Sequence, residues 1–245
     1  MYFSIFMSAA VKSNPDFTIL LPCYNPINGW AENVVKTTRE IESELGVSAQ
    51  LIIVIDGSIK NTNQETLSLI RTSIPNSTII EYSDNKGKGY ALRQGVKATI
   101  NFPIVYTDID FPYTNKSFIN IYKELTKSYD VVLGKRDTSY YDKTPWIRKV
   151  ISKSLRAVLK YFLRLPTDDS QCGIKGFNEK GANVFLETRI NRFLFDLEFV
   201  KLTSKRRLKY KTVMVELKPN IVFSKVNFKI LAKESLNFIK VLFRK

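Results

Sequence analysis

The chain contains no histidine. That absence removes imidazole general bases, Ser-His-Asp triads and most zinc sites. Two cysteines, Cys23 and Cys172, are too few for a metal cluster or a disulfide framework, and such usage fits a reducing cytosol. No run of residues reaches the roughly 18 uncharged positions that a helical membrane span needs. The apolar stretch Met1 to Val11 lacks a basic flank and is short, so it reads as a ragged N-terminal extension (1–16) or as a translation start upstream of Met7. Membrane contact is therefore expected to be peripheral or through a membrane-protein partner. Acidic residues are scarce as well: 23 Asp plus Glu face 38 Lys plus Arg, a formal charge of +15. An excess of that size calls for an anionic partner, whether nucleic acid, lipid head groups or phosphorylated substrates.

What is present suits one sizeable α/β core in 245 residues. Phe17 to Cys23 and Leu51 to Ile55 are continuous apolar runs, the pattern of strands covered on both faces. A helix is expected from Ala31 to Leu45, stopped by Gly46, and another through Leu67 and Ile70. Further strands are expected at Thr78 to Tyr82, Ile104 to Asp110, Asp130 to Gly134 and Lys211 to Leu217, with a helix beginning near Phe195. Strands alternating with helices predict a mainly parallel, doubly wound sheet. The globular domain is expected over 17–219, with a basic amphipathic tail over 220–245.

The stretch Thr107-Asp108-Ile109-Asp110 carries the sharpest chemical signal. If the strand continues through it, Asp108 and Asp110 point the same way, and two adjacent carboxylates repel unless a cation lies between them. A hard divalent ion bridging to a diphosphate suits such a pair, and the bland alternative is two caps for the next turn. Asn85-Lys86-Gly87-Lys88-Gly89 opens a helix and predicts an anion site built from backbone N–H groups and the helix dipole. It matches neither a Walker loop nor a dinucleotide fingerprint. From Trp146 to Leu163, Lys149, Lys153, Arg156, Lys160 and Arg164 form a basic stripe on an amphipathic helix, with no acidic residue between Trp146 and Pro166. The tail from Asn227 repeats that pattern. Both are expected to face an anionic surface such as lipid phosphate. No nucleic-acid-binding motif accompanies the charge, and nucleic acid is not the expected partner.

The order of these motifs resembles family 2 glycosyltransferases of the GT-A fold, and within them the polyprenyl-phosphate sugar synthases, particularly the dolichyl-phosphate β-glucosyltransferases. The resemblance runs from about residue 17 to 240. It rests on Pro22-Cys23-Tyr24-Asn25, Asp56-Gly57-Ser58, Asn85 to Gly89, Asp108-Ile109-Asp110, Asp169-Ser170-Gln171-Cys172-Gly173-Ile174-Lys175-Gly176-Phe177, Asn191-Arg192-Phe193, Phe195-Asp196-Leu197-Glu198 and Ser224-Lys225. Ile55, Pro26 and Asp168 depart from the family's Asp, Glu and Arg.

The resemblance implies inverting transfer of a sugar, glucose in the branch it most resembles, from a UDP-sugar to a polyprenyl or dolichyl phosphate. A saccharide acceptor in surface polysaccharide assembly is the alternative. Asp108 and Asp110 would hold Mg²⁺ or Mn²⁺. Pro22, Tyr24, Asn25, Asp56, Lys88, Arg136 and Gln171 would hold the donor, with Asp56 contacting the base. Asp169, then Asp196 or Glu198, would serve as base if a hydroxyl must be deprotonated. Lys149, Lys153, Arg156, Lys160 and Lys225 would meet the acceptor phosphate or an anionic membrane on its cytoplasmic face. Self-association is left open.

Overall fold

The structure is a computed structural model that describes residues 14–137, 167 and 169–219. The elements run β1 (Phe17–Cys23), α1 (Trp30–Leu45), β2 (Ala49–Asp56), α2 (Gln64–Ser73), β3 (Ser77–Tyr82), α3 (Lys88–Ala98), β4 (Ile104–Tyr106) and α4 (Asn115–Leu125). They continue with β5 (Val131–Arg136), β6 (Lys175–Phe177), α5 (Glu179–Leu186), α6 (Phe195–Lys205) and β7 (Tyr210–Val215).

All seven residues of β1 and all eight of β2 are buried, which is why their sequences read as apolar runs rather than alternations. Alternate residues serve opposite faces. Ile19, Leu21, Leu51 and Ile53 pack beneath Val34 of α1, Ile70 of α2 and Phe118 of α4. Leu20, Ile52 and Val54 pack with Leu92 of α3, Phe185 of α5 and Phe199 of α6. Each such side chain contributes about 1.5–3 kcal/mol on burial, so the two helical layers fix the sheet from both sides. Helix ends follow local chemistry. Gly46 closes α1 in the left-handed region and donates its N–H to Glu42 O, while Asn63, Thr114 and Asn178 side chains cap α2, α4 and α5.

The sheet has the order β3-β2-β1-β4-β6-β5-β7 and is parallel except for β6, which runs antiparallel to both neighbours. The chain moves from β1 outward to β2 and β3, then returns to place β4 on the other side of β1. The carboxyl ends of β1 and β4 thus flank the point where the winding direction reverses, the place where open α/β sheets bind ligands.

The expected mainly parallel α/β architecture is present. The strand expected over Ile104 to Asp110 is shorter, because β1 offers partners only at Thr18–Leu20 and β6 only at Lys175–Phe177. Helices α4 and α5 lie outside the expected elements. Among the described residues, no helix is long and apolar enough to cross a membrane.

Candidate active site

A cavity of about 790 Å³ opens at the carboxyl ends of β1 and β4. Seven of the expected donor- and metal-binding residues line it: Pro22, Tyr24, Asn25 and Asp56 toward β1 and β2, and Lys88, Asp108 and Asp110 toward α3 and β4. Trp30, Asn33, Arg192 and Phe193 line it too and were not anticipated as site residues. Arg136, Asp169, Gln171, Asp196 and Glu198 are not among the lining residues. Asp168, Lys149, Lys153, Arg156, Lys160 and Lys225 lie outside the described residues.

Asp108 and Asp110 sit on the turn that follows β4, closed by the Phe111 N–H donating to Asp108 O at 3.0 Å. They come together through that turn, not through strand alternation. Lys88 Nζ donates to Asp108 Oδ1 at 2.6 Å, and the Asn33 amide donates to the Asp110 carbonyl at 3.1 Å. Partial desolvation, and then the Asp108 charge, hold the Asp110 carboxyl above the ordinary carboxylate range. Burial would lower the Lys88 ammonium, but the charges of Asp108 and Asp196 outweigh it and keep Lys88 firmly protonated. Two hard carboxylates crowded at a cavity edge suit Mg²⁺ or Mn²⁺, which take one or two protein carboxylates and complete their shell with phosphate oxygens and water. No cluster of three or more His, Cys, Asp or Glu side chains exists among the described residues, so the remaining ligands would come from a bound molecule.

Asp56, expected as a base contact, lines the cavity and also anchors a neighbouring loop. It is 3% exposed, and its carboxylate accepts from the Asn85 side chain at 2.9 Å, Lys86 N at 2.7 Å and Gly87 N at 2.8 Å. It shapes the loop that enters α3. Two N–H groups of the backbone anion site expected at that helix start are already engaged, because Gly89 N and Tyr90 N donate to Asn191 O at 2.7 and 3.3 Å. Gly87 sits at φ +103°, and an added Cβ there would lie 2.5 Å from the same carbonyl. The cation that α3 offers the cavity is therefore the Lys88 side chain. Asn25 is likewise engaged, accepting from Ile59 N and Lys60 N at 2.9 and 3.1 Å. Tyr24 and Phe193 both line the cavity and stand about half exposed.

The three carboxylates expected as bases are all committed elsewhere. Asp169 is held by Arg136 through Nε, Nη2 and the backbone N–H, at 2.9, 2.5 and 2.9 Å. Burial would raise its pKa, but the guanidinium outweighs burial and holds the carboxyl below the usual range. Asp196 accepts from Lys175 Nζ at 2.5 Å and Tyr106 OH at 2.6 Å. Glu198 accepts the N–H groups of Arg189 and Ile190 at 2.8 and 2.9 Å. The loop carrying Asp169 still reaches the site, since Gly173 lies directly against Asp108. On that loop the buried Gln171 Nε2 has no hydrogen-bond partner among the described residues.

Comparison with known proteins gives this geometry its context. Residues 18–236 match the profile described as glycosyl transferase family 2. A dolichyl-phosphate beta-glucosyltransferase of Saccharomyces cerevisiae is 25% identical over 218 residues, covering 81% of this chain and 65% of the yeast protein. Glycosyltransferase AglD of Haloferax volcanii is 25% identical over 198 residues, 79% of this chain and 31% of its own length. The chain thus spans just under two thirds and about one third of these two curated relatives. Among solved structures, glucosyl-3-phosphoglycerate synthase from Mycobacterium tuberculosis, in complex with Mn²⁺, UDP and phosphoglyceric acid, superposes with a TM-score of 0.62. It is 13% identical over 93% of this chain and 77% of that one. Mannosyl-3-phosphoglycerate synthase from Rubrobacter xylanophilus superposes with a TM-score of 0.65 at 11% identity, over 93% and 72%. At those identities the structures speak for the shared fold, whereas the profile match over most of the chain establishes that it belongs to glycosyl transferase family 2.

Proposed function

We propose that this protein transfers glucose from UDP-glucose to a polyprenyl or dolichyl phosphate, with inversion, as a peripheral protein on the cytoplasmic face of a membrane. The yeast relative is named for that acceptor and sugar. The observation that carries the reading is the commitment of Asp169, Asp196 and Glu198 to Arg136, Lys175 and backbone N–H groups. A hydroxyl acceptor needs a carboxylate to take its proton, and a carboxylate held low by a guanidinium is a weak base. A phosphate monoester has a second pKa near 6 and arrives as an anion, so it attacks without a base. Its oxygen bonds to the anomeric carbon while the bond to the nucleoside diphosphate breaks and the electron pair leaves with the diphosphate.

In this reading Tyr24, Pro22 and the β1 end hold the base and ribose. Lys88 faces the diphosphate as a fixed ammonium, backed by Asp108, where it offsets charge as the leaving group departs. Asp108 and Asp110 hold the Mg²⁺ or Mn²⁺, whose chemistry is Lewis-acid neutralisation of the diphosphate. Arg136 acts through Asp169, fixing the loop that borders the acceptor side. The basic stripe at Lys149, Lys153, Arg156 and Lys160, and the tail with Lys225, supply the contact with anionic lipid.

The test is incubation with labelled UDP-glucose, Mn²⁺ and a short polyprenyl phosphate, followed by counting of the organic phase. Label that appears there and vanishes with EDTA or Asp108→Ala supports the reading. An organic phase empty of label, with other UDP- and GDP-sugars also failing and saccharide acceptors labelled instead, overturns it.

A further inference from the structure

The Asp108 carboxylate is bracketed on both oxygens. Oδ1 accepts from Lys88 Nζ at 2.6 Å. Oδ2 faces Gly173 so closely that an added Cβ would lie 2.7 Å from it. The next atom that Cβ would meet is the Tyr113 hydroxyl at an ordinary 3.4 Å. Gly173 does not occupy the left-handed region, so its backbone conformation does not itself require glycine. What requires the missing side chain is the carboxylate beside it.

Gly173 is in turn held from beneath. Its N–H donates to Tyr113 OH at 3.0 Å, and the carbonyl of Cys172 accepts from Lys175 Nζ at 2.6 Å. Lys175 is fully buried, and its ammonium also donates to Asp196 Oδ1, which accepts from Tyr106 OH as well. Tyr106 is the last residue of β4, two positions before Asp108, and it is the register partner of Lys175 on β6. One buried ammonium therefore ties the strand that leads into Asp108 to the loop that presses on Asp108. Buried ion pairs are weak stabilisers, often replaceable by apolar side chains without loss. Their better-attested use is to select one geometry.

We propose that Gly173 and Lys175 are positioning residues for the Asp108 carboxylate, setting its orientation toward a divalent ion without touching the ion. The inference rests on the reading that Asp108 and Asp110 hold that ion, and it extends the site to a layer beneath it.

The test is Mn²⁺ binding to the full chain in the presence of UDP, read from the electron paramagnetic resonance of free Mn²⁺, with melting in EDTA measured alongside. In Gly173→Ala the new methyl meets a side-chain carboxylate, which can swing away, and no backbone atom, so the chain folds. Its Mn²⁺ affinity should fall about tenfold, the size seen when residues supporting metal ligands are changed, with the melting temperature unchanged. Lys175→Met combined with Asp196→Asn removes both charges and leaves Tyr106 an acceptor, and the same fall is expected in the folded protein. If both variants bind Mn²⁺ as tightly as the parent chain, the inference is overturned while the metal site stands. A fall in Gly173→Ala alone overturns the part assigned to Lys175. If the parent chain itself takes up no Mn²⁺ with UDP, the metal reading falls and the inference with it.

Discussion

Arg136 meets Asp169 with a two-pronged ion pair, Nε to Oδ2 at 2.9 Å and Nη2 to Oδ1 at 2.5 Å, and adds its own backbone N–H to Oδ2. Asp169 is 4% exposed, so its carboxylate depends on these donors rather than on water. Asp169→Asn turns an acceptor oxygen into a donor and removes the charge, so it should destabilise the chain by about 1.5–3 kcal/mol for each charged hydrogen bond lost. The pH dependence has a definite sign. The folded carboxyl is held below its unfolded value of about 3.9, so the pair's contribution is present above that pH and is lost as pH falls through the folded pKa. Urea unfolding of the parent chain should weaken as pH drops below about 4, and Asp169→Asn should show a flatter profile. Parallel profiles for the two proteins would show that the pair contributes little.

Asp56 separates two accounts of the β2 end. As the anchor of the Asn85 to Gly87 loop, it gathers three N–H donors from residues about thirty positions later. Asp56→Ala should then lower stability by about 1.5–3 kcal/mol for each charged hydrogen bond lost, less what water recovers. UDP affinity should fall in step with it, because the loop positions Lys88. A variant that melts like the parent yet binds UDP poorly would instead make Asp56 a direct base contact.

That residue also shows where the sequence stops being legible. The runs of β1 and β2 announce themselves because both faces are buried, and the reversal of winding that places the cavity follows from their order with β4. Asp56 and Asp108 look alike in sequence, each following or ending a buried run and each lining the cavity, yet one accepts backbone donors from a distant loop and the other pairs with Lys88. The difference lies in contacts that no local pattern encodes. The same holds for Asn191, whose carbonyl takes two of the N–H groups expected to bind an anion at α3. Asp108 and Asp110 were legible as a pair, but through the wrong geometry, because the length of β4 depends on partners from β1 and β6. Helices α4 and α5 carried readable signals in their caps, Thr114 and Asn178.

The two thiols should be silent. Cys23 borders the cavity but is 1% exposed, and burial pushes its thiol up to about 12. At pH 8 about one molecule in ten thousand would carry the thiolate that alkylating agents need. Burial raises Cys172 as well, followed by the charge of Asp169. Iodoacetamide at pH 8 should leave the native chain unmodified and label both cysteines in denaturant, as read by intact mass. Rapid native labelling at Cys23 would show that the β1 end of the cavity opens further than this packing allows.

Asp110 sets stability against function. Without a metal, burial and then the Asp108 charge disfavour its charged form in the folded chain, and the burial is relieved on unfolding. Asp110→Asn removes one of the two charges while keeping the shape, so in EDTA the variant should melt above the parent chain. Addition of Mn²⁺ with UDP should reverse the order. A ligand at about 100 times its Kd stabilises the folded state by about 2.7 kcal/mol, and the parent chain should gain on that scale. The variant loses one hard oxygen ligand and should gain much less, and transfer to the acceptor should fall with it. Melting curves with EDTA and with Mn²⁺ plus UDP, run on both proteins, decide the matter. A variant that melts lower in EDTA and gains as much from Mn²⁺ as the parent would remove Asp110 from the metal site, and Asp108 would then be left to hold the ion with phosphate and water.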